Sequence, residues 1–175
     1  TAAGMLAARG AVVISADAAG HQVLESGGAA VAAVADRWPQ AMRDGRVDRS
    51  VLAEVVFEDA AALAELEAIT HPLIADLLAE RMAAASGPLI VLEIPVLRDG
   101  VGPAWPVVVV DAPDDVRRRR LEGRGMDPAD VGRRMALQPS REEWLAVADY
   151  VVDNGGDLNT LAAECDRLWS VLGLG

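Results

Sequence analysis

Three features of this 175-residue sequence are spaced as a chemical reaction would need them. The first is Asp17, which follows the β-branched run Val12-Val13-Ile14 and Ser15. The run predicts a short buried strand. In an open α/β sheet, ligands bind above the carboxyl ends of parallel strands, so an acid there is placed to take a proton from a bound group. Asp also caps helices, and the helical pattern that begins at this point leaves that second reading open. The second feature is arginine. All 16 basic residues are Arg, and those at 117, 118, 119, 120, 124, 133, 134 and 141 crowd into one window. In a chain of net charge −11, such a concentration of planar donors suits the grip of a phosphate or carboxylate, while single members of it fit ion pairs on a solvated helix face. The third is the polar turn Asn154-Gly155-Gly156 after a short apolar run. Phosphoryl transfer fits the set, because it needs a base for an attacking hydroxyl, positive charge on the moving group and a segment that closes against water.

The elements that must position these residues alternate in type. Thr1 to Arg9 reads as a helix ended by Gly10, and Ala18 to Leu24 as the helix after the first strand. From about 26 to 85 the pattern is helical and lacks strands. A helix is expected over Gly28 to Trp38, others capped by Asp48 and Asp59, and a new one opening at His71-Pro72 with Pro in its tolerated first turn. Leu89 to Val96 and Val107 to Val110 read as parallel strands. Asp114 to Gly123 and Asp127 to Gln138 are Arg-rich helices, and Ser140 with Glu143 forms a capping box. Tyr150 to Asp153 is a last strand. A closing helix carries Leu158, Leu161, Ala162, Cys165, Leu168, Trp169 and Leu172 on one stripe. The expected fold is α/β with a parallel sheet.

Composition narrows the class. The acidic balance argues against a general nucleic-acid or anionic-membrane surface. Charges interrupt every apolar run before the roughly 20 residues a bilayer span needs. A single cysteine, Cys165, fits a reducing cytoplasm.

The segments GAVVISADAAGHQVLESG (10–27), DGRVDRSVLAEVVF (44–57), LEAITHPLI (66–74), EIPVL (93–97), VVVVDAPDDVRRRRLEGRGM (107–126) and MALQPSREEWLAVADYVVDNGG (135–156) together resemble the dephospho-coenzyme A kinases. The resemblance implies a P-loop kinase fold similar to nucleoside monophosphate kinases. Its core would comprise 1–25, 86–116 and 144–175, with a helical acceptor subdomain at 26–85 and an Arg-rich lid at 117–143. It implies transfer of the γ-phosphoryl of ATP, with Mg²⁺, to the 3′-hydroxyl of dephospho-coenzyme A, by a cytoplasmic monomer or weak homo-oligomer that binds neither nucleic acid nor membrane. Asp17 would be the general base. Arg120 would contact ATP phosphates, Arg141 would bind the cofactor as the Arg that follows the Gln of the lid, Asn154 and Gly155 would lie beside the adenine, and Thr1 would follow directly on the phosphate loop. His21, His71, Pro72 and Glu93 fall at acceptor-side positions. Ser15 stands where the family has a first acid, and His21 where it has an Arg. Counting back from Gly10 puts the family's first strand and Walker A loop, GxxxxGK[ST], just upstream of Thr1, so those residues are expected in the gene. A chain truly without them would be inactive, a non-catalytic coenzyme A or nucleotide binder. A third possibility is another small-molecule kinase of this fold.

Overall fold

The computed structural model describes residues 1–95 and 105–174. The chain forms two compact units, Val12–Pro95 and the described parts of 1–11 and 96–175.

In Val12–Pro95 the first apolar run becomes β1 (Val12–Ser15) and leads into α2 (Ala16–Leu24); α1 belongs to the other unit. Next come α3 (Val31–Arg37), a hairpin of β2 (Met42–Arg43) and β3 (Arg46–Val47), α4 (Arg49–Phe57), α5 (Ala60–Ala84) and β4 (Ile90–Glu93). β1 and β4 are parallel, with Val12 opposite Ile90 and Ser15 opposite Glu93. The helices between them close over their own core of Val23, Val34, Trp38, Leu52 and Val56. Asp48 caps α4 through the amides of Ser50 and Val51, and Asp59 caps α5 through that of Ala61. Both were expected from sequence.

Three expectations need correcting here. The helix thought to open at His71-Pro72 is the second half of α5, whose 25 residues run through Pro72 without a break. An interior proline forfeits one backbone hydrogen bond. Leu66, Ile69, Leu73, Ile74 and Leu77 on both sides of it pack on the same core, and that burial outweighs the local cost. The stretch thought to lack strands holds the β2–β3 hairpin, turned by Asp44 and Gly45 at φ 49° and 72°. Positive φ at both central residues is the geometry that matches strand twist. α3 begins at Val31 and not Gly28, because Gly28 sits in a turn so tight that a Cβ there would lie 2.4 Å from the carbonyl oxygen of Val23. The expected end of the second strand at Val96 lies outside the described residues.

The other unit contains α1 (Ala2–Ala7), β5 (Val108–Asp111), α6 (Asp114–Glu122), α7 (Pro128–Ala136), α8 (Arg141–Ala146), β6 (Tyr150–Asp153) and α9 (Leu158–Val171). β5 and β6 are parallel, with Val108 opposite Tyr150 and Asp111 opposite Asp153. α9 packs on β6 and on α1, burying Leu161, Cys165 and Leu168. Ala162, Trp169 and Leu172 of the expected stripe are half-buried, and Leu158 departs from it, 64% exposed. Leu158 is the first helical residue, whose side chain leans back past the helix end rather than down onto the packed face. Arg9 ties α1 to α9, donating from Nε to Asp166 at 2.7 Å and from Nη2 to the carbonyl of Ala162 at 3.1 Å. Ser140 and Glu143 form the capping box of α8. No helix among the described residues is long and apolar enough to cross a membrane.

Candidate active site

Each unit carries candidate residues at the carboxyl ends of its parallel strands. In Val12–Pro95, Ser15 closes β1 and its hydroxyl accepts from the amide of Ala18 at 3.3 Å, making Ser15 the cap of α2. Asp17, the second residue of α2, is thereby relieved of capping, and its carboxylate is 68% exposed. A carboxylate in the first turn also sits in the favourable field of the helix N-terminus. Its neighbour one helical turn on is His21, with Nε2 3.8 Å from Oδ2. Glu93 is exposed at the end of β4, opposite Ser15. α5 packs against α2 where Gly20 leaves room for Ile74, 3.6 Å from the position of an added Cβ, and Arg81 donates to the side chain of Gln22 across the same seam. His71, on α5, lies 3.8 Å from Glu67, and Pro72 beside it is exposed.

In the other unit, Arg141 at the start of α8 grips Asp111 at the end of β5. Its Nε donates to Oδ1 at 2.8 Å and its Nη2 to Oδ2 at 2.6 Å. The Asp111 side chain is 12% exposed. The Arg141 hydrogen bonds hold its carboxyl below the usual range against the opposing effect of burial. The same contact raises the Arg141 guanidinium. Arg120, near the end of α6, reaches the turn after β6: Nη1 donates to the carbonyl of Asn154 and Nη2 to that of Gly156, both at 2.6 Å. The turn is pinned twice more, by the Asn154 amide on the carbonyl of Asp111 at 2.6 Å and the Gly155 amide on Oδ1 of Asp153 at 2.7 Å. A Cβ on Gly155 would meet that oxygen at 3.0 Å and Pro113 at 3.2 Å, so a side chain there would crowd the turn.

The structure therefore brings Arg120, Asn154 and Gly155 together, and separately Asp17 with His21. Thr1 precedes α1 as its cap residue, but its side chain makes no capping bond. Two participants were not foreseen. Asp111 carried the same sign as Asp17, an acid at the end of an apolar run, but its partner lies 30 residues away. Gly156 was seen only as turn chemistry, and its carbonyl takes the second Arg120 bond. Among the described residues no group of three or more His, Cys, Asp or Glu converges as a protein-built metal site requires.

The family model described as CoaE, dephospho-CoA kinase, matches residues 1–160. The dephospho-CoA kinase of Frankia casuarinae is 42% identical over 172 residues, covering 95% of this chain and 75% of that protein. That of Thermobifida fusca is 40% identical over 173 residues, covering 95% and 86%. Among solved structures, TT1252 from Thermus thermophilus superposes with a TM-score of 0.84 at 32% identity, covering 97% of this chain and 89% of the other. The dephospho-CoA kinase from Campylobacter jejuni, at 21% identity and a TM-score of 0.66 over 98% and 89%, shares the fold. With the family model spanning nearly the whole chain and close sequence relatives covering 95% of it, this chain belongs to the dephospho-CoA kinase family.

Proposed function

We propose that this chain catalyses the family reaction, the phosphorylation of dephospho-CoA by ATP to give CoA and ADP. In this reading the core comprises 1–25, 86–116 and 144–175, the acceptor is received by 26–85, and 117–143 closes as a lid. The observation that carries it is the state of Asp17, an exposed carboxylate at a strand end that Ser15 has released from capping. Asp17 accepts the proton of the acceptor 3′-hydroxyl as its oxygen bonds to the γ-phosphorus, and the bond to the ADP oxygen breaks. His21, within a helical turn of Asp17, Glu93 at the end of β4, and His71-Pro72 on the helix packed against α2 line the acceptor side. Asn154 and Gly155 face the adenine, and Arg120 and Arg141 belong to the nucleotide side. Thr1 belongs to the nucleotide side. Mg²⁺ is the expected metal of the reaction. The described residues build no cage for it, which suits an ion held chiefly by the substrate's own phosphates. The enzyme acts in the cytoplasm as a monomer or weak homo-oligomer.

The test is mass-spectrometric measurement of CoA formed from dephospho-CoA and Mg-ATP by the wild type and by Asp17→Asn. Loss of a general base is expected to lower turnover by about 10²–10⁴-fold with ATP binding nearly unchanged. Undiminished turnover in the variant would remove Asp17 as the base.

A further inference from the structure

We infer that Arg120 is a positioning residue that sets the enzyme's choice of nucleobase, acting through the backbone of the Asn154–Gly156 turn. The inference rests on the reading above that this turn meets the base. A guanidinium that donates to two carbonyls of one turn fixes the planes of both peptides at once. With the carbonyl of Asn154 turned to Arg120, the amide of the same peptide, that of Gly155, points away to Asp153. The carbonyl of Gly155, the amide of Gly156 and the side-chain amide of Asn154 are the polar groups of the turn left without a partner among the described residues. The carbonyl and the side-chain amide have the chemistry of an adenine reader. The carbonyl accepts from a 6-amino group, and the side-chain amide pairs with a neighbouring ring nitrogen. Guanine offers a 6-oxo group at the same point, and a carbonyl facing a carbonyl is left with no hydrogen between them.

Arg120 also joins the turn to α6, the first helix of the Arg-rich segment, across 34 residues of sequence. Two of its five N–H groups are used in this way, and no carboxylate competes for the guanidinium among the described residues. Arg117 and Arg119 on the same helix are instead paired with Asp114 and Asp115. Within α6, Arg120 is thus the arginine spent on main chain rather than on a neighbouring acid.

The experiment compares wild type, Arg120→Lys and Arg120→Ala in kcat/KM for ATP against GTP, and in the binding of adenosine and of tripolyphosphate by calorimetry. Arg120→Ala is expected to lower the ATP-to-GTP ratio about tenfold, the worth of one hydrogen bond, and to weaken adenosine with tripolyphosphate unchanged. Arg120→Lys, which keeps one donor direction, is expected to fall between them. An unchanged ratio, or a loss confined to tripolyphosphate, would overturn the inference and make Arg120 a phosphate ligand. Equal thermal unfolding of the three proteins separates positioning from a folding defect. A wild type that makes no CoA would defeat the functional reading instead, while the adenosine comparison would still report on the turn.

Discussion

Ser15 and Asp17 show how two adjacent candidates for one task are sorted by geometry. Either could cap α2; Ser15 does, at 3.3 Å from the amide of Ala18, and Asp17 is left to solvent and His21. Asp111 is the contrasting acid, held by Arg141 below the usual carboxylate range. A group with a depressed folded-state pKa contributes fully above its unfolded value, near 3.9, and the contribution is lost as pH falls through the folded value. Activity between pH 6 and 9 is therefore expected to be insensitive to this pair. Arg141→Ala, by leaving a mostly buried carboxylate unpaired, should cost about 1–3 kcal/mol in urea unfolding at pH 7; an unchanged midpoint would show the pair to be idle. Cys165 is buried, and burial pushes its thiol up. A thiol reagent at neutral pH should label it only after unfolding. Asp17, the Arg window and the Asn-Gly-Gly turn were legible in sequence because each announces itself within a few residues. The Arg141–Asp111 and Arg120–Asn154 contacts were not, because they join positions 30 and 34 residues apart and depend on tertiary placement alone.

At the scale of elements, local signals were reliable where one side chain decides the outcome. Asp48, Asp59 and Ser140 cap the helices they were expected to cap, and Tyr150–Asp153 is the strand read from its apolar run. They failed where packing decides. Pro72 looks like a helix start and is interior, because the apolar residues on both sides of it share one core. Pro72→Ala restores a backbone N–H and should raise stability by about 1–3 kcal/mol by denaturant midpoint. A fall would mean that the surrounding helices have adapted to the ring. Leu161, 1% exposed on the packed face of α9, is the converse case. Leu161→Ala should cost about 2–5 kcal/mol, through lost burial and the cavity left behind.

Across both units, five carboxylates among the described residues lie below their ordinary values for the same kind of reason. Asp48, Glu143 and Asp157 accept amide or hydroxyl hydrogens at helix starts, while Asp111 and Glu164 accept from arginines. Protonating them removes caps and ion pairs from both units, so loss of far-UV circular dichroism is expected to begin only below about pH 4, as pH drops under the unfolded carboxylate values. Unfolding that starts above pH 5 would point to another titrating group. The long reach of Arg9 to Asp166, across 157 residues, has a consequence for how the protein is made. α1 leaves the ribosome before its partner α9, which at 5–20 residues per second follows about 8–30 s later. During that interval Leu6, buried in the finished protein, is exposed on a six-residue helix too short to persist alone. The docking of α1 onto α9 thus waits for all of the chain between them, and a nascent chain stalled before α9 would present that apolar segment to chaperones.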